Sequence, residues 1–125
     1  MSIVHLQLDE LRREFPGAAV EERTDGSAVI TVPDVPLPLG WSHPRTTVQF
    51  VVPVGFPMAQ PDCFWVEPEL RLASGSLPKN AALQAPPFGN TQRLWFSWHV
   101  AGWNAGRDSL KSYLRVVMNR LAKPE

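Results

Sequence analysis

Residues 46–66 read TTVQFVVPVGFPMAQPDCFWV, two strand-like runs joined by a turn that contains proline. The first run, residues 46–53, is rich in Thr, Val and Phe, which favour the pleated surface of a sheet. The turn at 54–61 holds two prolines, which suit a sharp crossing between strands, and Phe56 is expected to plug the sheet there. Residues 63–66 form the second run, so the stretch predicts two consecutive strands of one sheet.

The segment before this stretch predicts a helix followed by a β-hairpin. Residues 6–15 place leucine and phenylalanine at helical spacing, and Pro16 with the glycine after it ends the helix. Residues 18–24 and 27–32 are strand-like runs on either side of an Asp-Gly pair, which suits a tight hairpin turn. Residues 33–44 contain four prolines, which disfavour ladder hydrogen bonds, so a loop is predicted there.

The segment after the stretch predicts a long loop and then a helix. Residues 68–94 show no sustained period and are interrupted by glycine and proline, which predicts the loop. The final helix is marked by a buried-type stripe and by basic residues on the opposite side. Asp108 or Ser109 is expected to cap its start. The stripe consists of Leu110, Leu114, Val117 and Leu121, and the predicted solvent side carries Lys111, Arg115, Arg120 and Lys123.

These elements predict one α+β domain that spans residues 1–125. Its order is an N-terminal helix, a four-stranded antiparallel meander, a long loop and a C-terminal helix, with both helices against one face of the sheet. A chain of 125 residues with 44% hydrophobic residues is sufficient for one core.

Charge and hydropathy exclude several classes of function. Twelve basic and twelve acidic residues cancel, so no broad nucleic-acid or acidic-membrane binding is expected. No apolar stretch approaches the roughly 20 residues that span a bilayer, and the first residues do not resemble a signal peptide. The single cysteine, Cys63, excludes an internal disulfide and fits a reducing compartment, so a cytoplasmic location is expected.

The stretch 52–61 resembles the third-strand and turn region of ubiquitin-conjugating enzymes (E2 enzymes), whose aromatic-proline pair corresponds to Phe56 and Pro57 here. Trp103, shortly before the last helix, resembles the tryptophan that those enzymes carry ahead of the helix after their active site. The agreement in element order extends the resemblance over nearly the whole chain. It implies a ubiquitin-conjugating (UBC-like) fold.

A closer resemblance is to prokaryotic E2 family E. Its central block is similar to Pro57, to the Pro-Asp pair at 61–62 and to residues 64–68. Its distal block is similar to Trp95, Ser97, His99, Trp103 and Asp108. The resemblance implies bacterial operons that encode a ubiquitin-like protein, an E1-like activating enzyme and a JAB-type peptidase, which are suspected of antiviral roles. It also implies that the first helix meets the E1-like partner, through a surface that would include Asp9, Arg12 and Arg13.

The resemblance also implies a chemistry for which the expected residue is missing. E2 enzymes accept the C-terminus of ubiquitin on a reactive cysteine in the loop ahead of the tryptophan, next to a His-Pro-Asn motif. The corresponding loop here has no cysteine, and the expected position holds Trp95. The pair His43-Pro44 is followed by arginine and is not that motif. Cys63 lies in a predicted strand between residues that favour burial, so a structural role is expected for it.

The candidate site residues lie around the distal tryptophans. His99 is either a packed histidine or a general base, and Ser97, two positions earlier, is an alternative nucleophile that would share a face with it in an extended segment. Trp98 and Trp103 are either packing residues or binding residues, and Asp108 is either a helix cap or a partner for His99. The histidines and the cysteine are dispersed in sequence, so no metal site and no cofactor are expected.

Three functional hypotheses follow from this sequence. The first is a non-catalytic E2-like module that binds a ubiquitin-like protein and an E1-like enzyme. The second is a divergent active conjugating enzyme that uses Ser97 or His99. The third is an unrelated α+β adaptor domain.

Overall fold

Two helices flank an antiparallel sheet of six strands in the computed structural model, which describes residues 2–125. The predicted α+β class is therefore confirmed. The elements in chain order are α1 (Ile3–Glu14), β1 (Ala19–Glu22), β2 (Ala28–Pro36), β3 (Arg45–Val52), β4 (Phe64–Val66), β5 (Ala81–Gln84), β6 (Arg93–Phe96) and α2 (Leu110–Leu121). The order of strands across the sheet is β1-β2-β3-β4-β6-β5.

Helix α1 is the predicted first helix, extended at its start. The Ser2 side chain caps it by accepting a hydrogen bond from the backbone N–H of His5, which satisfies one of the free N–H groups of the first turn. Leu8 and Leu11 are buried on one face, as their helical spacing predicts. The helix ends at Phe15, directly before a proline that cannot continue it.

Strands β1 to β4 form the predicted antiparallel meander. The side chain of Asp25 accepts hydrogen bonds from the backbone and hydroxyl of Ser27 and so stabilises the turn between β1 and β2. Strand β2 runs through Pro36, where a loop was predicted. The strand accommodates its prolines because the register shifts between Val32 and Val35, and Asp34 takes a left-handed φ of 59° within this bulge.

The predicted loop at 68–94 is wrong in part, because it contains β5 and the start of β6. Both strands have only four residues, too few to show a period in the sequence. Their pairing is settled by tertiary contacts: Trp95 of β6 lies opposite Trp65 of β4, and Gln84 of β5 lies opposite Arg93. The sheet therefore gains two strands beyond the meander.

Helix α2 packs its predicted apolar stripe into the core. Ser109 is its N-cap and forms a reciprocal capping box with Ser112, while Asp108 lies outside the helix. The prediction that Arg120 faces the solvent is wrong, since only 4% of the residue is exposed. Its guanidinium donates to the carbonyl oxygens of Lys79, Lys123 and Glu125, so the charge is buried against acceptors.

The core lies between the helices and one face of the sheet. Tyr113 of α2 contacts Phe50 of β3 with ring centroids 4.9 Å apart, and Phe64 stacks on Phe96 at 4.7 Å. The first contact packs α2 against the sheet, and the second holds the start of β4 beside the end of β6. Within residues 2–125, no helix combines the length and apolar character needed to cross a bilayer.

Candidate functional site

Cys63 lies directly before β4, and the sequence prediction of a buried strand residue is wrong for it. The residue is half-buried, and its φ of 61° is in the left-handed region, outside the extended conformation of a regular strand. Its backbone N–H donates to the carbonyl of Trp98 at 3.0 Å. Its carbonyl accepts a hydrogen bond from the Tyr113 hydroxyl at 2.5 Å. Both ends of the Cys63 peptide are therefore tied to other elements.

These two hydrogen bonds bring Cys63 to His99. The ligand atoms of Asp62, Cys63 and His99 all lie within 4.8 Å of one another, and we name these three residues the Asp-Cys-His cluster. Within the cluster, His99 Nδ1 is 2.5 Å from Asp62 Oδ1. The side chain of His99 is 66% exposed and that of Asp62 is 55% exposed, so the cluster is open to a partner protein.

The hydrogen bond from His99 to Asp62 defines the form of the imidazole. An ionised carboxylate only accepts hydrogen bonds, so Nδ1 is the protonated nitrogen. In the neutral ring the other nitrogen, Nε2, is then free to accept a proton. A nucleophile, a base and a carboxylate that orients the base form the arrangement that activates cysteine in acyl transfer.

The Asp-Cys-His cluster also collects donors of the kinds that zinc takes in proteins: a thiolate, an imidazole and a carboxylate. The expectation of dispersed donors is therefore wrong for Cys63 and His99. The hydrogen bond between His99 Nδ1 and Asp62 Oδ1 occupies both of these atoms, so a metal ion would have to displace it or bind through the remaining ligand atoms. His5 contacts Ser2 and Glu22, and His43 contacts Ser42, so neither histidine joins the cluster.

Tyr113 of α2 contacts the backbone of the cluster through its hydroxyl group. Burial, with smaller contributions from the charges of Cys63 and Asp62, holds the pKa of the Tyr113 hydroxyl well above its ordinary value of 10.0. The hydroxyl therefore stays protonated and donates a hydrogen bond to the Cys63 carbonyl. Sequence reasoning assigned no function to Asp62 or Tyr113. The pair Pro-Asp next to the only cysteine was the signal available for Asp62, while Tyr113 gave none beyond its place in the last helix.

The other predicted site residues surround the cluster without joining it. Ser97 is half-buried, and its backbone N–H donates to the carbonyl of Asn80. In residues 2–125, the hydrogen-bond partner of the His99 ring is Asp62, and none links it to the Ser97 hydroxyl. Trp98 is half-buried under the guanidinium of Arg120, which lies 5.5 Å from the ring centroid.

Trp103 and Asp108 each hold a loop through a hydrogen bond. The indole N–H of Trp103 donates to the carbonyl of Pro57 at 2.8 Å, and its ring lies 6.1 Å from that of Phe56. Phe56 is half-buried by this contact rather than enclosed in the sheet. Asp108 accepts from the backbone N–H of Asn104 at 2.8 Å, so it closes the turn before α2.

The comparison with protein families identifies one match. The family described as Prokaryotic E2 family E matches residues 7–124, which include the whole sheet and the Asp-Cys-His cluster. No curated protein and no solved structure matches the chain significantly. The matched region covers almost the entire chain, and its helix–sheet arrangement is the one that the resemblance implies. The chain therefore belongs to prokaryotic E2 family E.

Proposed function

We propose that this chain is an E2-like component of a ubiquitin-like conjugation system and that Cys63 accepts the C-terminal acyl group of the ubiquitin-like protein. The observation that carries the proposal is the Asp-Cys-His cluster, which places the only cysteine beside a histidine oriented by a carboxylate. The position that corresponds to the reactive cysteine of ubiquitin-conjugating enzymes holds Trp95, and Cys63 would supply the thiol instead.

The proposed reaction is the transfer of an acyl group between two thiols. His99 takes the proton of the Cys63 thiol, and the thiolate attacks the thioester carbonyl that joins the ubiquitin-like protein to its activating enzyme. The new bond forms between the Cys63 sulfur and that carbonyl carbon. The old carbon–sulfur bond breaks, and the departing thiolate of the activating enzyme receives the proton from His99.

The geometry around Cys63 supports this use. The half-buried side chain is accessible, whereas a core cysteine would not be. The hydrogen bonds from Trp98 and Tyr113 hold the Cys63 backbone on both sides, which limits the conformational freedom that a reacting group would have to lose. We assign the role of nucleophile to Cys63 rather than to Ser97 because a ligand atom of His99 lies within 4.8 Å of the Cys63 sulfur, whereas the contact shown for Ser97 is from its backbone N–H to the carbonyl of Asn80.

The test is an acylation assay with a ubiquitin-like protein and an E1-like enzyme of the kind that the family resemblance implies, in the presence of ATP. Intact mass should increase by one ubiquitin-like protein, and hydroxylamine should remove the adduct. Cys63→Ala should abolish it, and Cys63→Ser should give an oxyester that resists thiol reducing agents. Ser97→Ala is the matched control and should react like the wild type. The assay is run with and without EDTA, because a change would implicate a metal on the same donors.

A second candidate function is the non-catalytic module. The observation that favours it is the turn at 54–61, which projects Met58 with 82% exposure and is held to Trp103 by the Pro57 carbonyl. Such a rigid apolar projection suits a protein interface. Saturable binding of the ubiquitin-like protein without any adduct would support this function and would refute the proposed acyl transfer. Absence of both would contradict both candidate functions.

A further inference from the structure

A pocket separate from the Asp-Cys-His cluster lies on the face of the sheet that the helices do not cover. The loop at 85–92 joins β5 to β6 and folds back over this face, where the Phe88 ring meets Trp65 edge-on at 5.4 Å. Arg23 donates to the carbonyl of Pro87 at 3.2 Å and ties the loop to the far side of the sheet. Val29 and Trp65 are buried here, although neither belongs to the main core.

The loop and the sheet enclose a cavity of about 220 Å³. One water molecule takes roughly 30 Å³ in the liquid, so the space is large enough for a small organic molecule. Its floor is formed by Thr31 and Gln49, which are neighbours across β2 and β3, and its roof includes Phe88. Glu21 and Arg93 also line it and bring opposite charges to it.

The amide of Gln49 leaves an acceptor without a partner in this cavity. Its nitrogen donates to the Thr31 hydroxyl at 3.1 Å. Its oxygen, Oε1, is buried and has no hydrogen-bond partner within residues 2–125. An unpaired buried acceptor is unfavourable, so a donor from a bound molecule would be favourable there.

The two charged side chains that line the pocket are also available for a ligand. Among the described residues, neither Glu21 nor the half-buried Arg93 takes part in an ion pair. A guanidinium in a partly desolvated site binds a carboxylate strongly and in a defined geometry. A carboxylate such as Glu21 suits an ammonium group. The cavity therefore presents an anion site, a site for an N–H donor and a cation site.

We propose that this pocket binds a small zwitterion of dipeptide size, whose carboxylate pairs with Arg93 and whose amide N–H donates to Gln49 Oε1. The ammonium group would then interact with Glu21. The pocket lies on the opposite face of the sheet from the core that supports the Asp-Cys-His cluster, so this inference does not depend on the proposed acyl transfer.

The test is a titration of the isotope-labelled protein with glycylglycine, followed by amide NMR. We expect saturable shifts confined to the loop at 85–92 and to the neighbouring residues of β2, β3 and β6. Arg93→Gln should weaken binding at least tenfold, and Arg115→Gln, an exposed change on α2, should leave it unchanged. Glycinamide, which lacks the carboxylate, should bind at least tenfold more weakly to the wild type.

Gln49→Leu provides a further check, because it removes the acceptor and keeps a side chain of similar length. Its spectrum in the absence of peptide reports whether the fold is retained. If it is, binding should again fall at least tenfold. If the variant does not fold, glycylsarcosine, in which a methyl group replaces the amide hydrogen, tests the same contact on the wild-type protein and should bind at least tenfold more weakly than glycylglycine. Shifts that do not saturate, or that are equal for glycinamide or Arg93→Gln, would overturn the proposal.

Discussion

His99 Nδ1 lies 2.5 Å from Asp62 Oδ1, although 37 positions separate the two residues in sequence. The contact exists because the Cys63 N–H donates to the Trp98 carbonyl and so holds residues 62–63 beside residues 98–99. The cysteine that seemed to be a core residue is thereby placed next to an oriented histidine. The candidate site is formed by two segments, residues 62–63 and residues 98–99. Neither segment alone indicates a site in the sequence.

Removing the histidine tests its proposed role as a base. His99→Gln should lower the rate of acyl transfer to Cys63 by roughly 10²-fold, which is the lower end of what a positioned base contributes. Asp62→Asn should lower it less, because the imidazole remains and loses only its orientation. The measurement is single-turnover loading from the charged E1-like protein. His43→Gln is the matched control, and equal rates in all variants would exclude the role.

The raised pKa of Tyr113 predicts a loss of stability in alkaline solution. The hydroxyl ionises in the unfolded chain near its ordinary pKa of 10.0, whereas the folded protein retains the proton. The folded state therefore binds more protons than the unfolded state above about pH 10, and the free energy of unfolding falls as pH rises, by up to about 1.4 kcal/mol per pH unit. Below that pH the hydroxyl is protonated in both states and adds no pH dependence to the free energy of unfolding.

Urea unfolding between pH 8 and 11 measures this dependence. Tyr113→Phe should flatten the alkaline decline relative to the wild type, since it removes the titrating group. At neutral pH the same variant should be less stable by about 1–2 kcal/mol, because the Cys63 carbonyl loses its donor. An alkaline decline of the same slope in both proteins would show that other groups cause it.

Replacing Arg120 is expected to lower the free energy of unfolding strongly, although its place in the sequence suggests a basic, solvent-facing side of α2. Arg120→Ala should lower the free energy of unfolding by about 2–4 kcal/mol, because three carbonyl groups lose their donor and the ring contacts with Phe96 and Trp98 disappear. Arg115→Ala, exposed on the same helix, should change stability by less than about 0.5 kcal/mol. Similar losses in both variants would contradict the assignment.

Replacing Phe56 is expected to lower the free energy of unfolding by an intermediate amount. A fully buried phenylalanine costs about 3–5 kcal/mol when replaced by alanine, but Phe56 is half-buried and contacts mainly Trp103. Phe56→Ala should therefore cost about 1.5–3 kcal/mol, measured by denaturant unfolding. A loss below about 1 kcal/mol would mean that the turn at 54–61 is not held against Trp103.

The fold could be predicted where the sequence carries a local period. Strand β3 alternates between buried and partly exposed residues, and α2 buries the stripe that its spacing indicates. Strands β5 and β6 could not be predicted, because four residues show no period and their pairing with β4 is a long-range contact. Arg120 could not be predicted either, since its acceptors come from distant loops.

The candidate site could be predicted only in part. His99 was identifiable from the resemblance to the family, but its partner was expected at Ser97 or Asp108. The actual neighbours, Asp62 and Cys63, follow from the left-handed backbone at Cys63, which ends the turn before β4 and has no sequence signature in a non-glycine residue.

Differential alkylation tests the central claim most directly. The chain is loaded with the ubiquitin-like protein, free thiols are blocked with N-ethylmaleimide, hydroxylamine removes the acyl group, and iodoacetamide labels any thiol thus released. Cleavage after arginine separates Cys63 and Ser97 into the peptides 46–71 and 94–107. The account predicts iodoacetamide label on peptide 46–71 of the loaded protein only. Complete blocking of that peptide by N-ethylmaleimide, with or without an adduct on peptide 94–107, would contradict it.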